Sequence, residues 1–598
     1  MKTQVTLLSL LLVPALFAQS PQEIPPLLVR DRPLSISNTG GLDTSIAAYL
    51  DAIPGVTVIP QGIAGGSADL SIRGSAFSGA GLSFGGIALR NPQTEHFHAE
   101  FPFPAWWLAA PEVQTGVTQA ALGDGHLTGT VALTPLPMAT RQVLSAGVDQ
   151  EGGFHITGGL QYTQETLGRN QFGIGVFGGW MDAPNVDSLG NDVESFRAGV
   201  QLQHLSDFGQ ADLWLGHQEK TFGTRGFYGV SPDFPSEETT RDTLLLGSWR
   251  TFDPEAPIDV GFKIREFEDD YQLLLPSGLF RNEHTSDTRA VQAGYRHPVN
   301  EWLGVSGRIV FEQEEIRSTN LGNFSRDRTA LTLLPDVLLL DNLRVFAGAR
   351  FEALDDFSDQ FLPQARIEFI PANGLLLYID YSESVRRPSF TELNYESPGS
   401  LGNQGLDIQT QEAIEIGAHW QIAPHTFASL ALFRHETKDT VDWIRPDAGA
   451  TRWQAENIGN VTTLGAEALL RQRITETLDL TGTLTLLDKD ADEAPFASRY
   501  ALDYARQLIG LRADWQATPT VRIEAAQSFR NQADNALRTS GSDRQWLTSL
   551  GVHVRPEALD NVQFSLTGTN LLDDDFRMFA GQDTVSERRF AASVSVDW

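Results

Sequence analysis

Three stretches of the chain hold residues that could do chemistry. Glu95-His96-Phe97-His98-Ala99-Glu100 gathers two imidazoles and two carboxylates. On a strand, His96 and His98 point the same way and could share a metal ion. A usual site needs more ligands than two, so a structural role outweighs a metal here. Asp488-Lys489-Asp490-Ala491-Asp492-Glu493 sets aspartates at alternate positions, like the start of a calcium loop. Glu493 stands where such a loop needs glycine, and no glutamate closes it at the required distance. The run therefore reads as a solvated acidic loop, with calcium held by Asp488, Asp490 and Asp492 as the alternative. Residues 220–242, KTFGTRGFYGVSPDFPSEETTRD, are too long and too aromatic for a simple turn. Phe222, Phe227, Tyr228 and Phe234 read as ligand contacts in an outer loop, and Tyr395 is a further candidate. No nucleophile elbow, phosphate loop or zinc-helix motif appears, which points away from an enzyme.

The elements that must position these residues begin after an export signal. Residues 1–20, MKTQVTLLSLLLVPALFAQS, have Lys2, a short apolar run and small Ala18, the pattern of a cleaved secretory signal peptide. The chain has no cysteine, so disulfides are excluded. Its net charge of −32 argues against nucleic acid as a partner. No later segment approaches ~20 uninterrupted apolar residues. The nearest, LTLLPDVLLL at 331–340, is broken by Pro335 and Asp336. Helical membrane spans are thereby excluded.

From about Arg141 the sequence alternates with period two, the strand signature. Leu478, Leu480, Leu484 and Leu486 fall on one face, against Asp479, Thr481, Thr483 and Thr485. Val345, Ala347, Ala349 and Phe351 oppose Phe346, Gly348 and Arg350. Strands facing lipid must close on themselves, because every backbone amide needs a partner. One strand per ~20 residues gives roughly 22 strands, the size of plugged outer-membrane barrels. The last segment, RRFAASVSVDW, puts Phe590, Ala592, Val594, Val596 and Trp598 on one face. In water such an edge would aggregate. Residues 41–138 differ in texture: a helix near Ile46, Ala47 and Leu50, ended by Pro54-Gly55, then short glycine-punctuated strands.

On these residues the chain resembles the TonB-dependent outer-membrane transporters over nearly its whole mature length. YLDAIPGVTV, ADLSIRGSAF and FGGIALRNPQTEHFHAEFP are similar to segments of that family's plug, with Gly85 where the family has aspartate. Residues 381–417, TLGAEALL at 463–470 and GTNLLDDDFRMFAGQ at 568–582 resemble its barrel motifs. The resemblance implies a signal peptide at 1–20, an N-terminal segment at 21–40, an α+β plug at 41–138 and a transmembrane antiparallel β-barrel at 139–598. It also implies a lock in which plug arginines face barrel glutamates. Arg73, Glu415 and Glu467 match that lock, while Thr115 stands in place of a second arginine. A TonB box, which an inner-membrane energy-transducing partner grips by strand addition, maps to Pro26, Leu27, Leu28, Val29 and Arg30.

The implied function is energised import across the outer membrane of a Gram-negative-type bacterium, by a monomer seated in lipid. It requires no cofactor, with calcium in the outer loops as the open option. NPQTEHF and FGTRGFYG resemble vitamin B12-type members, which favours cobalamin as ligand; a ferric siderophore is the alternative. A degenerate barrel acting as passive pore or adhesin, and a secreted soluble β enzyme, are the readings from other classes.

Overall fold

A computed structural model describes residues 45–598, apart from 51–52, 54, 62–64, 167–169, 185–191, 225–226, 229–232, 254–255, 448–449, 493–496, 536, 539–541 and 576–587. The expected signal peptide and the expected TonB box lie outside the described residues.

Among the described residues, twenty-two antiparallel strands close into a barrel. The first is Arg141–Asp149 and the last is Arg589–Asp597. These two pair with each other, from Ala591 opposite Asp149 to Asp597 opposite Val143, so no edge is left open. Alternation fixes which side chain faces where. Phe351, Leu486, Leu566 and Phe590 are exposed on the outside, whereas Phe346 and Arg350 are buried inside. The outer surface carries exposed leucine, isoleucine, valine and phenylalanine on strand after strand, far more than a water-soluble protein leaves uncovered. Trp249, Trp302, Trp420, Trp515 and Trp598 are exposed near one end of the barrel, the end with the tight turns. A tryptophan belt beside short turns marks the periplasmic rim of an outer-membrane barrel. The first barrel strand starts at this rim, immediately after the plug.

The plug fills the lumen. Helix Ile46–Leu50 buries Ile46 and Leu50 completely. Strand Val56–Gln61 pairs with Ser67–Ile72, Val56 opposite Ile72. A second sheet of four short strands runs in the order Ile87–Ala88, Ala80–Phe84, Gly129–Leu133, Glu112–Gln114. On one side the plug meets the wall through rings: Phe84, Phe103 and Trp107 pack around Trp214 of the barrel. On the other side it meets charges.

Arginine placed on the lipid-facing side should be costly in a bilayer. Ile416→Arg, near the middle of strand Gln409–Ala423, is expected to lower unfolding stability in phospholipid vesicles by about 2–4 kcal/mol. Unchanged stability would contradict the lipid-facing assignment.

Candidate functional site

The site has two parts, the plug–wall ion-pair contact where the resemblance implies a lock, and a cavity on the plug's outer face. The lock begins with backbone geometry. Strand Ser67–Ile72 ends in Arg73 at φ +55° and Gly74 at φ +71°, a left-handed pair that turns the chain sharply. A Cβ on Gly74 would lie 2.8 Å from Leu487 Cδ1, so glycine is required there twice over. The turn aims Arg73 at the wall. Its Nη1 donates to Glu415 Oε2 at 2.6 Å and its Nε to Glu467 Oε2 at 3.0 Å. The guanidinium also lies over the Phe433 ring, 4.1 Å from its centroid. Tyr378 Oη donates to the other oxygen of Glu415 at 2.5 Å. Arg73 and Glu415 are buried, and Glu467 is half-buried.

Thr115 precedes the short helix Gly116–Ala120. A Cβ on Gly116 would come within 2.9 Å of Asp380 Oδ2. The cation beside that carboxylate comes from the wall: Arg366 Nη1 donates to Asp380 at 2.8 Å, and its guanidinium lies 4.4 Å from the Tyr378 ring centroid. The lock region thus holds Arg73 from the plug and Arg366 from the barrel.

A larger ionic cluster escaped sequence reasoning. Arg90 of the plug donates to Glu95 at 2.8 Å and to the carbonyl of Arg387 at 2.9 Å. Glu95 also accepts from Arg386 Nη2 at 2.6 Å. Glu314 accepts from Arg326 at 2.6 Å and from Arg387 at 3.2 Å. The signal was present as charged residues two apart, Lys263/Arg265, Glu312/Glu314, Arg326/Arg328 and Arg350/Glu352, all of them buried. The barrel cations also grip plug carbonyls: Lys263 that of Ala88, Arg265 that of Leu89, Arg328 that of Gly123, Lys489 that of Gly74.

A cavity of about 70 Å³, open to solvent, lies between the plug's outer face and the extracellular loops. Its floor includes Phe77, Gln93 and His96. Helix Phe390–Asn394 is fixed by a Ser389/Glu392 capping box, and its first amides donate to the plug carbonyls of Pro92 and Gln93. Tyr395 follows this helix, lines the cavity and accepts from Asn282 at 3.2 Å. Over the cavity lies a small sheet, Ser400–Leu401, Trp453–Asn457, Val441–Arg445 and Ala497–Ser498. Asp442 pins it by accepting from the amides of Trp443, Tyr500 and Ala501 at 2.7–3.2 Å.

The other predicted residues distribute unevenly. Tyr228 lines the cavity. Phe227 is buried beside it, edge-on to His96 at 5.5 Å. Phe222 is buried lower down, in an apolar cluster with Phe97 and Phe267, and Phe234 is half-buried; neither lines the cavity. His96 and His98 do not share a face, because 95–99 is a run of turns and not a strand, with Glu95 at φ +64°. His96 Nδ1 bonds Asp69 at 2.8 Å and its ring stacks on Phe77. His98 accepts from the Asn91 amide and packs edge-on to His126. Burial and the nearby His126 hold the His98 imidazole well below its ordinary range. Asp488, Asp490 and Asp492 are all exposed and spread along the end of one strand. Among the described residues no group of three or more His, Cys, Asp or Glu is placed to hold a metal ion.

Comparison with known proteins defines the class. The family described as TonB dependent receptor-like, beta-barrel, matches residues 133–571, and the chain belongs to that family. It is an outer-membrane barrel. A shorter stretch of 141 residues is 27% identical to the iron-regulated outer membrane virulence protein of Vibrio cholerae, covering 22% of this chain and 22% of that relative's length. Solved structures share the fold. A ferric enterobactin receptor mutant of Pseudomonas aeruginosa superposes with a TM-score of 0.73 at 14% identity, over 93% of this chain and 96% of that one. The FrpB iron transporter of Neisseria meningitidis gives 0.74 at 12%, over 94% and 97%. The siderophore receptor PirA of Acinetobacter baumannii gives 0.73 at 13%, over 94% and 97%.

Arg73→Ala strands two carboxylates. It is expected to cost about 3–5 kcal/mol at the plug–wall contact and to expose the plug to protease while the barrel stays intact on gels. Plug resistance equal to wild type would argue against a locking role.

Proposed function

We propose that this protein imports a ferric chelate of the siderophore kind across the outer membrane, driven by a TonB-type inner-membrane partner. The observation that carries the reading is the family match combined with a lumen closed by a plug that bears a cavity on its outer face. Iron is supported over the cobalamin expected from NPQTEHF and FGTRGFYG. The curated relative is named for iron regulation, and the three structures above are named for iron or siderophore receptors. A passive pore fits poorly, since Trp107, Trp214, Arg265 and Arg350 are fully buried across the lumen. No bond in the ligand is broken: the protein binds, and force from the partner moves the plug.

The route of that force is argued from register. A pull on the N-terminal side of residue 45 passes through the buried helix Ile46–Leu50 and then reaches Gly55 and Val56. Val56 pairs with Ile72, the residue before Arg73, and a Cβ on Gly55 would lie 3.6 Å from Glu467 Oε1. The first backbone pair to peel is therefore the one beside the lock. Peeled from that end, the pairs of this two-stranded sheet part in register order, Val56–Ile72 before Thr57–Ser71. The bound ligand would sit on His96, whose partner Asp69 lies on the same strand that leads to Arg73.

Two tests follow from this route. Deleting residues 21–32 should abolish accumulation of iron-55 from a ferric siderophore while surface binding persists; uptake that continues would favour the pore. Val56→Cys with Ile72→Cys introduces the chain's sole cysteine pair at directly opposed positions. The oxidised form should bind but not import, with uptake restored by reductant. Import by the oxidised form would reject peeling at this end.

A further inference from the structure

We infer that the outer cavity selects neutral or cationic ferric chelates and disfavours trianionic ones; this rests on the iron-chelate reading above and adds the ligand's charge class. The cavity's charged lining is sparse. Arg499 is the one lysine or arginine on it among the described residues. Its Nη2 already donates to the carbonyl of Phe227 at 2.5 Å, and its guanidinium lies near the rings of Tyr500 and Trp453, at 5.1 and 5.4 Å.

Against that one cation stand three carboxyls. Glu392 is neutralised by Arg386 at 2.5 Å. Glu238 and Asp269 are not neutralised in this way. They are 2% and 4% exposed, and neither forms an ion pair among the described residues. Lys220, the cation whose field reaches Glu238, is held by Glu100 at 2.5 Å. Glu238 and Asp269 stand on neighbouring strands, Glu238 opposite Tyr271 and Asp269 opposite Thr240, so the two carboxyls face the cavity side by side. Tyr228 Oη donates to Glu238 Oε2 at 2.6 Å, and Gln93 Nε2 donates to Asp269 Oδ2. Among the described residues Asp269 Oδ1 has no hydrogen-bond donor.

The remaining wall combines aromatic rings with uncharged polar side chains and the imidazoles of His96 and His284. Phe77, Tyr228, Tyr271, Tyr395, Trp443 and Tyr500 surround the space. Rings attract cations over their faces and favour apolar bodies. Ring faces carry no charge that offsets a buried anion.

Ferric chelates divide by charge. Three hydroxamates, each losing one proton, neutralise ferric iron, and a pendant amine makes the complex cationic. Three catechols, each losing two protons, leave the complex trianionic. To desolvate a trianion beside two carboxyls that no cation pairs, with one committed guanidinium, is unfavourable, because uncompensated buried charge is expensive. The protein's overall charge of −32 adds long-range repulsion of the same sign. A cationic trihydroxamate gains from both the pair and the rings.

The test uses the full-length protein purified in detergent and tryptophan fluorescence titration with three probes. These are ferrioxamine B (a cationic ferric trihydroxamate), ferric enterobactin (a trianionic tricatecholate) and cyanocobalamin. The wild type should bind ferrioxamine B at least about tenfold more tightly than ferric enterobactin. Glu238→Gln with Asp269→Asn keeps the shape and the Tyr228 acceptor while removing the charge. It should weaken ferrioxamine B by roughly tenfold and tighten ferric enterobactin, a change of opposite sign for the two probes that misfolding cannot produce. Tighter binding of ferric enterobactin by the wild type, or affinities unmoved in the double variant, overturns the charge inference and leaves iron import standing. Binding of cyanocobalamin with neither ferric probe, or of none of the three, overturns both.

Discussion

A closed strand barrel must satisfy two solvents at once, and everything else here follows from that. Alternation sends every second side chain outward into lipid and every other one inward. The inward set cannot face an open pore without leaving it wet, and it cannot be apolar without collapsing it. In this chain the inward set is largely polar and charged, and the plug supplies its partners. Lys263, Arg265, Arg328 and Lys489 satisfy themselves on plug carbonyls, while Arg73 and Arg90 reach the opposite way into barrel carboxylates and a barrel carbonyl. Neither partner could be buried without the other.

That mutual dependence has a mechanical side. Ion pairs and hydrogen bonds in a lumen are short-ranged, and water can replace each one as it parts, so they yield in sequence. An aromatic contact such as Trp214 among Phe84, Phe103 and Trp107 loses apolar area only when the bodies separate. The plug is therefore held by two kinds of attachment. The strand leading from the N-terminus, Val56–Gln61, begins beside the ionic kind, at Arg73 and Glu467.

How much of this the sequence disclosed depended on whether a residue's partner was a side chain or a backbone atom. The barrel, its strand number and the outward faces of Leu486 and Phe590 were legible, because period-two alternation is written in side-chain types. Arg73 facing Glu415 and Glu467 could be anticipated through family resemblance, since all three are charged side chains in recognisable motifs. The Arg90–Glu95–Arg386 cluster was not anticipated, although Arg90 and Glu95 stand in a quoted motif. Its geometry rests on Glu95 at positive φ, which composition does not reveal. The same turn separates His96 from His98, which a strand would have aligned. Cations bound to carbonyls left no trace at all, because any residue can present a carbonyl. Phe222 misled for a related reason: in a plugged barrel an aromatic near a loop can face the plug as readily as the cavity.

Fold and ligand are set by different parts of this molecule, so likeness in one does not transfer the other. The solved barrels that superpose so fully do so at 12–14% identity. At that distance lumen closure, plug topology and strand number persist because each is forced by hydrogen-bond closure. The cavity wall is under no such constraint. Glu238 and Asp269 sit at the outer ends of strands whose pairing depends on backbone alone, and Arg499 sits on a loop sheet pinned by Asp442. Any of the three can change sign without disturbing a ladder bond. The charge of the cavity is thus the property most free to vary between barrels of this shape, and for that reason the property that most directly records what this one binds.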